Sequence, residues 1–306
     1  MTTKTGNIRP QDMPDDIRQE FRKLTAIPEI AWPTMILAIT FISGMIALWA
    51  LALTETIAPW ICGVLAGLLG NWSFTIIHDG THRSIAANKT LNDWVARITI
   101  ALIVPWATLE MLRWAHAQHH RHTGGKLDPD LWSQGPWWQL PFRWALIDVG
   151  YIIQILKHGD KTAYKHLRRT LVHMAVAIGI AALLTINGFG EQAFWMMLVP
   201  SRIALVGLGF TFFWLPHVPH DTEQSQNFTR ASTIRLGHER FFNIALQYQN
   251  FHLLHHMYPT TPHYHNARLW HLLEPLLRER ELAIQYGFAI HPDIEVPPAA
   301  KMEAVA

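Results

Sequence analysis

The sequence predicts an all-α integral membrane protein with two transmembrane helical hairpins (four spans), interfacial helices and a cytosolic, histidine-rich helical cap. Composition is the first observation behind this prediction. Half of the 306 residues are apolar and only 16% are charged, whereas about 25% are charged in an average soluble protein. The second observation is a set of four apolar runs, each close to the ~20 residues that a helix needs to cross a bilayer. The third is a series of histidine clusters between and after these runs.

The four apolar runs are predicted to pair into two hairpins. Ala31–Leu53 and Ile57–Ile77 are joined by Thr-Glu-Thr, whereas Thr170–Asn187 and Ala193–Leu215 are joined by Gly-Phe-Gly-Glu-Gln. Links of about two to five residues are typical of antiparallel helix pairs. Each pair is therefore expected to cross the bilayer and return.

Two further segments are predicted to lie at the membrane surface rather than to span the bilayer. Val95–Met111 is apolar but contains Arg97, Pro105 and Glu110, so an interfacial or re-entrant helix is expected there. Leu131–Trp144 is rich in tryptophan, a residue that is enriched at membrane interfaces.

The distribution of lysine and arginine predicts the orientation. Residues 1–30 contain five of them, residues 78–169 twelve and residues 216–306 seven, whereas the two hairpin links contain none. Because cytoplasmic loops are enriched in these residues, both termini and the middle segment are expected in the cytoplasm, with a bacterial inner membrane as the expected location. One membrane domain over residues 31–290 is predicted, and the N-terminal segment 1–30 and the C-terminal segment 291–306 are expected to be peripheral tails.

Three histidine clusters are the strongest functional signal in the chain. They read HDGTH, HAQHH and HLLHH, and their histidines are His78, His82, His116, His119, His120, His252, His255 and His256. Residues three or four positions apart share one face of a helix, and neutral imidazole is a common ligand of iron, zinc and copper. Since a structural zinc site uses about four ligands, eight or more histidines predict two metal ions.

Polar residues near the clusters are candidates for supporting roles. Asp79 is expected to accept the second N–H of a ligand histidine, with a solvated helix end as the alternative. Asn250 is expected either to hold a metal-bound water or to cap a helix. Asp128 and Asp130 are expected to structure the following turn or to bind an arginine, in preference to acting as ligands.

Three further histidines lie close to the clusters. His217, in a proline-rich turn directly after the fourth apolar run, is predicted to be a ninth ligand. His122 is favoured as a spectator, although it could replace a histidine of the second cluster. The role of His220 is left open.

In this order, around two predicted hairpins, the clusters resemble the histidine boxes of the membrane fatty acid desaturase/hydroxylase superfamily. The resemblance covers residues 31–290. It implies a cytosolic centre of two non-haem iron ions, which uses O2 to attack unactivated C–H bonds of a membrane-soluble lipid. Carried over by motif position, the iron ligands are the eight clustered histidines and His217.

Within this superfamily, the C-terminal third is most similar to cyanobacterial-type β-carotene hydroxylases. The similar segments are Trp214–Pro219 (WLPHVP), Gln249–Pro259 (QNFHLLHHMYP) and the pair Pro262 and Tyr264, although Val218 stands where those enzymes have arginine. This resemblance implies hydroxylation of the β-carotene ring. Acyl-lipid desaturation is the main alternative, followed by ketolation and oxidative decarboxylation.

Functions from other classes are disfavoured. A metal transporter needs ionisable residues inside its spans, and the four apolar runs contain only His173 and Arg202. A zinc hydrolase of the HExxH type needs a glutamate within the motif, which none of the clusters has. The formal net charge of +2 gives no indication of nucleic-acid binding.

The electrons for such a reaction are expected to come from a separate protein. The sequence contains no GxGxxG dinucleotide fingerprint and only one cysteine, too few for an iron–sulfur cluster. A ferredoxin with its reductase is therefore the expected donor.

Overall fold

The computed structural model describes residues 5–297, and the chain divides into two compact units. Unit 1 comprises residues 5–27, 118–131 and 211–297, and unit 2 comprises residues 28–117 and 132–210. The outermost parts of the two predicted tails lie outside the described residues. The boundaries predicted for a single membrane domain stay a prediction.

Unit 2 is built from helices. Its α-helices are α2 (Trp32–Leu53), α3 (Pro59–Leu69), α4 (Ser73–His82), α5 (Lys89–Ile103), the first part of α6 (Leu109–His122), α7 (Leu140–Ala145), α8 (Ile147–His158), α9 (Lys161–Ile186), α10 (Gly190–Ala193) and α11 (Val199–Leu208). A 3-10 turn at Gly70–Trp72 links α3 to α4, and π-helical segments at Phe194–Leu198 and Gly209–Trp214 follow α10 and α11.

Local sequence signals begin several of these helices. Pro59 occupies the first position of α3, where the missing N–H of proline has no helical partner to lose. The side chain of Asn88 accepts the backbone N–H of Thr90 at the start of α5, and Asp160 accepts that of Ala163 at the start of α9. Such side-chain caps pair N–H groups that a helix leaves unsatisfied at its first turn.

Four helical segments are long and apolar enough to cross a membrane. They are Trp32–Leu53, Pro59–His82, Lys161–Ile186 and Gly190–His217. The four predicted spans are thus confirmed as candidate membrane-spanning helices, and the last three extend beyond the apolar runs. The arrangement of these spans as hairpins and the orientation in the membrane stay predictions.

In unit 2, helix α3 packs against both α2 and α11. The glycines of α3 show how closely it approaches its neighbours. A Cβ added to Gly63 would lie 2.2 Å from the carbonyl oxygen of Trp195, and one added to Gly67 would lie 2.6 Å from the Cβ of Ile203. Small residues at these positions let the helix backbones approach each other, as is common in membrane proteins.

Arg202 of the fourth candidate span forms an ion pair with Asp148 of α8. Arg202 donates to both carboxylate oxygens of Asp148, at 3.1 and 2.6 Å, and its guanidinium lies 5.2 Å from the centre of the Trp106 ring. The Trp106 indole N–H also donates to Asp148 at 2.8 Å. Pairing of this kind lowers the cost of placing a charge in a membrane helix.

The segment Val95–Met111 is not one continuous helix, because α5 ends and α6 begins within it. Pro105 lies in the break, which fits its inability to continue a helix. Arg97 on one side of the break donates to Glu110 on the other at 2.8 Å. The two charged residues within this apolar segment therefore pair with each other. The predicted position of the segment at the membrane surface stays a prediction.

Unit 1 combines short helices with a small sheet. Its helices are α1 (Asp15–Thr25), the last part of α6, α12 (Glu239–Ala245), α13 (His252–Met257) and α14 (Asn266–Leu277), and its strands are β1 (Thr233–Leu236), β2 (Leu282–Tyr286) and β3 (Asp293–Glu295). Strand β2 lies in the middle, parallel to β1 and antiparallel to β3.

The prediction of an all-α fold is therefore wrong for unit 1. The three strands have four, five and three residues, and runs this short do not distinguish a strand from other structure by their pattern alone. Thr233 pairs with Ala283, a partner so distant in the chain that local sequence gives no sign of it.

The segment predicted as an N-terminal tail is packed rather than peripheral. Four of its side chains belong to the apolar core of unit 1, together with Trp270 of α14: Ile8, Met13, Phe21 and Leu24. The predicted C-terminal tail likewise contributes β3 to the sheet. In α1, the apolar residues Ile17, Phe21 and Leu24 recur at a spacing that brings side chains to one face of a helix.

Candidate metal centre

Three of the predicted ligands lie together in unit 2. His78 and His82 are one turn apart on α4, and His116 comes from α6. The ring centres are 4.9 Å apart for His78 and His82, 4.9 Å for His78 and His116, and 4.7 Å for His82 and His116. One ring nitrogen of each lies within 4.8 Å of those of the other two, so this three-histidine group could hold a metal ion.

Arg113, which no sequence pattern indicates, fixes the end of the helix that carries two of these histidines. Its guanidinium donates to the carbonyl oxygens of Gly80 at 2.9 Å and Thr81 at 3.0 Å, and to the carboxylate of Asp93 at 2.7 Å. Partial burial opposes the ionisation of Asp93, but hydrogen bonds from Arg113 and Asn92 outweigh it and lower the pKa of this carboxyl below its usual value. The last carbonyl groups of a helix lack N–H partners within the helix. In α4, the guanidinium of Arg113 donates hydrogen bonds to two of these carbonyl groups.

Replacement of Arg113 by glutamine is expected to lower the metal affinity of the three-histidine group by about tenfold, the lower end of the range for lost outer contacts of a metal site. The end of α4, and with it His82, loses its anchor to α5. Metal titration of purified protein measures the change. Arg121→Gln is the matched control because Arg121 is exposed on the same helix as Arg113. Equal losses in the two variants would exclude a specific role for Arg113.

Asp79 lies beside His78 on α4 and accepts a hydrogen bond from another helix. Its Oδ2 accepts a hydrogen bond from the Thr34 hydroxyl at 2.8 Å, whereas its Oδ1 lies 3.7 Å from Nδ1 of His78. That separation exceeds the length of a hydrogen bond. The predicted orienting role of Asp79 stays a prediction.

The densest cluster lies in unit 1 and consists of four buried histidines. Their Nε2 atoms form a chain of short distances: 3.2 Å from His119 to His256, 3.0 Å from His256 to His252, and 3.1 Å from His252 to His217. His119 comes from α6, His252 and His256 from α13, and His217 from the turn at the end of the fourth span. This four-histidine cluster could also hold a metal ion.

The other ring nitrogens of this cluster show why the Nε2 atoms suit a cation. Nδ1 of His119 lies 3.0 Å from Asp128, Nδ1 of His217 lies 3.0 Å from the carbonyl oxygen of Ala231, and Nδ1 of His252 lies 2.9 Å from Oε1 of Gln249. Each of these oxygens accepts a hydrogen bond, which places the proton of the neutral ring on Nδ1. Where Nε2 of these three rings carries no proton, its lone pair faces the other ring nitrogens of the cluster, and a metal ion could satisfy these lone pairs.

Asp128 and Asp130 set the electrostatics of this cluster. Burial lowers the pKa of His119, but the two carboxylates outweigh it and raise the pKa to about 9. Burial and the neighbouring imidazoles hold the pKa of His256 well below its usual value. Asp128 also accepts backbone N–H groups of Gly124 and Asp130. The prediction that it structures the turn is confirmed, while its contact with His119 was missed.

His120 and His255 form a separate pair in unit 1. Their Nε2 atoms lie 2.8 Å apart, and the His120 ring stacks on His256 with a distance of 4.4 Å between centres. Both of these predicted ligands therefore lie beside the four-histidine cluster.

The remaining polar candidates, Asn250, His220 and His122, are not members of the four-histidine cluster. The Nδ2 group of Asn250 donates to Asn243 at 3.1 Å, while its Oδ1 is buried without a hydrogen-bond partner among the described residues. His220 lies against Trp214, with ring centres 5.6 Å apart, and burial lowers its pKa to about 4. His122 is in none of the side-chain groups of residues 5–297 that could hold a metal ion.

Two of the supporting contacts have a signal in the sequence. Gln249 lies three positions before His252, the spacing that places two side chains on one face of a helical turn. A short loop with two glycines connects the second cluster to Asp128. Such a loop allows the chain to fold back so that Asp128 reaches His119. Nothing in the local sequence points to Arg113, whose partners lie in two other helices.

Comparison with known proteins finds similarity to fatty acid desaturases. A family model described as fatty acid desaturase matches residues 54–288. Over 285 residues the chain is 27% identical to an sn-1 oleoyl-lipid 12-desaturase of Anabaena variabilis, covering 78% of this chain and 74% of that protein. It is 26% identical over 238 residues to an sn-1 acyl-lipid omega-3 desaturase (ferredoxin) of Synechocystis, covering 68% and 65% of the two chains. A zeaxanthin 4-ketolase of Chlamydomonas reinhardtii is 33% identical over 115 residues, which cover 36% of this chain and 26% of that protein.

Proposed function

The chain belongs to the fatty acid desaturase family and is a membrane oxidoreductase, and we propose that it uses two iron ions and O2 to oxidise an acyl chain of a membrane lipid. The observation that carries the choice of substrate is the similarity to acyl-lipid desaturases over most of the chain. Four apolar helices long enough to span a bilayer support a substrate that is taken from the membrane.

The two histidine groups are proposed as the iron sites. His78, His82 and His116 hold one ion, and the four-histidine cluster holds the other. His120 and His255 are the remaining two of the nine proposed ligands. When bound, the two irons supply the activation of O2 that oxidation of an alkyl C–H bond requires.

The protein residues have two roles in this reaction: they orient the ligand rings, and they exclude water. The hydrogen bonds from Nδ1 of His119, His217 and His252 fix the orientation and tautomer of each ring. The burial of all four histidines of the cluster keeps water from the reacting centre, which limits side reactions.

The proposal is tested by expressing the chain in a bacterial host that contains monounsaturated lipids and also makes β-carotene. Mass spectrometry of the lipid extract is expected to show acyl chains that have lost two hydrogens. Cells that express the His255→Ala variant serve as the control and are expected to lack the product. Unchanged acyl chains in cells with iron-loaded protein would refute an acyl-chain substrate.

Oxidation of a carotenoid ring is the second candidate. It is favoured by the WLPHVP and QNFHLLHHMYP segments and by the similarity to a zeaxanthin 4-ketolase over a shorter stretch. The same extracts distinguish the two candidates, because a hydroxylase adds oxygen to β-carotene and leaves the acyl chains unchanged. Hydroxylation of the β-carotene ring stays a prediction until that measurement.

A ferredoxin-like protein is proposed as the electron donor. A relative whose name specifies ferredoxin supports this choice. Activity of the purified enzyme is expected to depend on added ferredoxin and its reductase. Full turnover with a chemical reductant in the absence of any donor protein would argue against a required donor.

A further inference from the structure

Unit 2 contains a groove whose lining is distinct from the proposed iron ligands of that unit, His78, His82 and His116. It is bounded by residues of α5, the break before α6, the start of α6 and α9, and has a volume of about 660 Å³. Small-molecule sites typically have volumes of ~300–1,000 Å³. None of the nine proposed ligands lines this groove.

One part of the groove is charged, with a surplus of positive charge. Arg97 and Glu110 form an ion pair at 2.8 Å, whereas Arg169 has no ion-pair partner within 4.0 Å among the described residues. Partial burial opposes the ionisation of Glu110, but hydrogen bonding from Arg97 and the charge of Arg169 contribute to a lowered pKa. Glu110 is therefore ionised near neutral pH, and the three residues together carry a formal charge of +1. His173, one turn from Arg169 on α9, also lines the groove.

The rest of the lining is mainly apolar and open to the surroundings. Trp94 is 57% exposed and Val172 is 62% exposed, so their apolar surface is available to contact lipid. Arg169 directly precedes the apolar run of a candidate membrane span. The charged part of the groove is thus expected at the level of lipid headgroups, where tryptophan is also enriched.

We propose that this groove binds one anionic phospholipid of the bilayer. The headgroup phosphate contacts the guanidinium of Arg169, with Arg97 beside it, and the acyl chains lie against Trp94 and Val172. Arginine suits this role because its planar group can donate two parallel hydrogen bonds to phosphate. The apolar lining favours a phospholipid over a soluble phosphate, and the unpaired positive charge favours it over a neutral lipid.

Native mass spectrometry of the full chain in detergent tests the proposal, with phosphatidylglycerol as the probe and a diacylglycerol of the same acyl chains as the neutral comparison. One phosphatidylglycerol is expected to bind, and Arg169→Gln is expected to lower the affinity about tenfold, as for the loss of one charge-assisted contact. Arg168→Gln is the matched control, since Arg168 is exposed on the same helix but does not line the groove. Its affinity is expected to remain at the wild-type value.

A second pair of variants tests the apolar part. Val172→Trp fills the groove and is expected to prevent binding, whereas Val176→Trp, one turn further on α9 and 56% exposed, is expected to leave it unchanged. The proposal is overturned if Arg169→Gln binds as tightly as wild type, if both arginine variants lose affinity equally, or if diacylglycerol binds as well as phosphatidylglycerol. Binding is measured without turnover, so the result does not depend on the proposed oxidation.

Discussion

The His256→Ala variant is expected to contain about half of the wild-type iron and to show less than ~1% of the wild-type lipid oxidation. His256 lies at the middle of the four-histidine cluster, with its Nε2 3.2 Å from that of His119 and 3.0 Å from that of His252. Loss of an outer hydrogen-bond partner alone typically costs a metal site about 10–100-fold, and loss of a ligand is expected to cost more. Iron per chain is measured by elemental analysis, and product by mass spectrometry of extracted lipids.

His271→Ala is the matched control for this variant. His271 lies on the surface of α14 near Glu239, and its side chain is 58% exposed, so the iron content and activity are expected to equal those of wild type. A thermal unfolding transition close to that of wild type shows that His256→Ala still folds. Wild-type iron content in a folded His256→Ala protein would contradict the assignment of His256 as a ligand.

The Asp128→Asn variant is expected to bind iron about 10–100-fold more weakly at the four-histidine cluster. In the wild type, Asp128 Oδ1 lies 3.0 Å from His119 Nδ1 and also accepts the N–H of Asp130, while Oδ2 accepts the N–H of Gly124. An asparagine side chain has only one acceptor oxygen, so one of these N–H groups faces an NH2 group instead. The negative charge that favours a bound cation is also lost.

Iron titration of the purified variant measures this change, and activity at saturating iron separates weaker binding from a damaged site. Asp221→Asn is the control, because Asp221 is a half-exposed carboxylate that pairs with Arg230 and contacts none of the cluster histidines in the described part of the chain. Activity that returns to the wild-type level with excess iron is the expected result. Unchanged iron affinity would mean that the contact between Asp128 and His119 does not support the site.

Much of the architecture follows from local sequence. An apolar run of about 20 residues is helical in a membrane because no water is available to satisfy its backbone groups, and the four candidate spans lie where the runs predict them. The histidines at spacings of three and four likewise meet on one side of their helices, as HDGTH on α4 and HLLHH on α13 illustrate. Spacing and apolar length are local properties, so a single sequence is sufficient to recognise them.

The sequence by itself therefore determined the membrane class, the candidate spans, the family and the residues proposed as iron ligands. Only the tertiary structure revealed the sheet of unit 1, the packed N-terminal segment and the contacts that Arg113 makes. These features depend on partners that pair across the fold, such as Thr233 with Ala283, or that lie on another helix, such as Arg113 and the end of α4. A hydrogen bond of this kind forms only after the chain has brought distant segments within about 3 Å, and no local pattern encodes that approach.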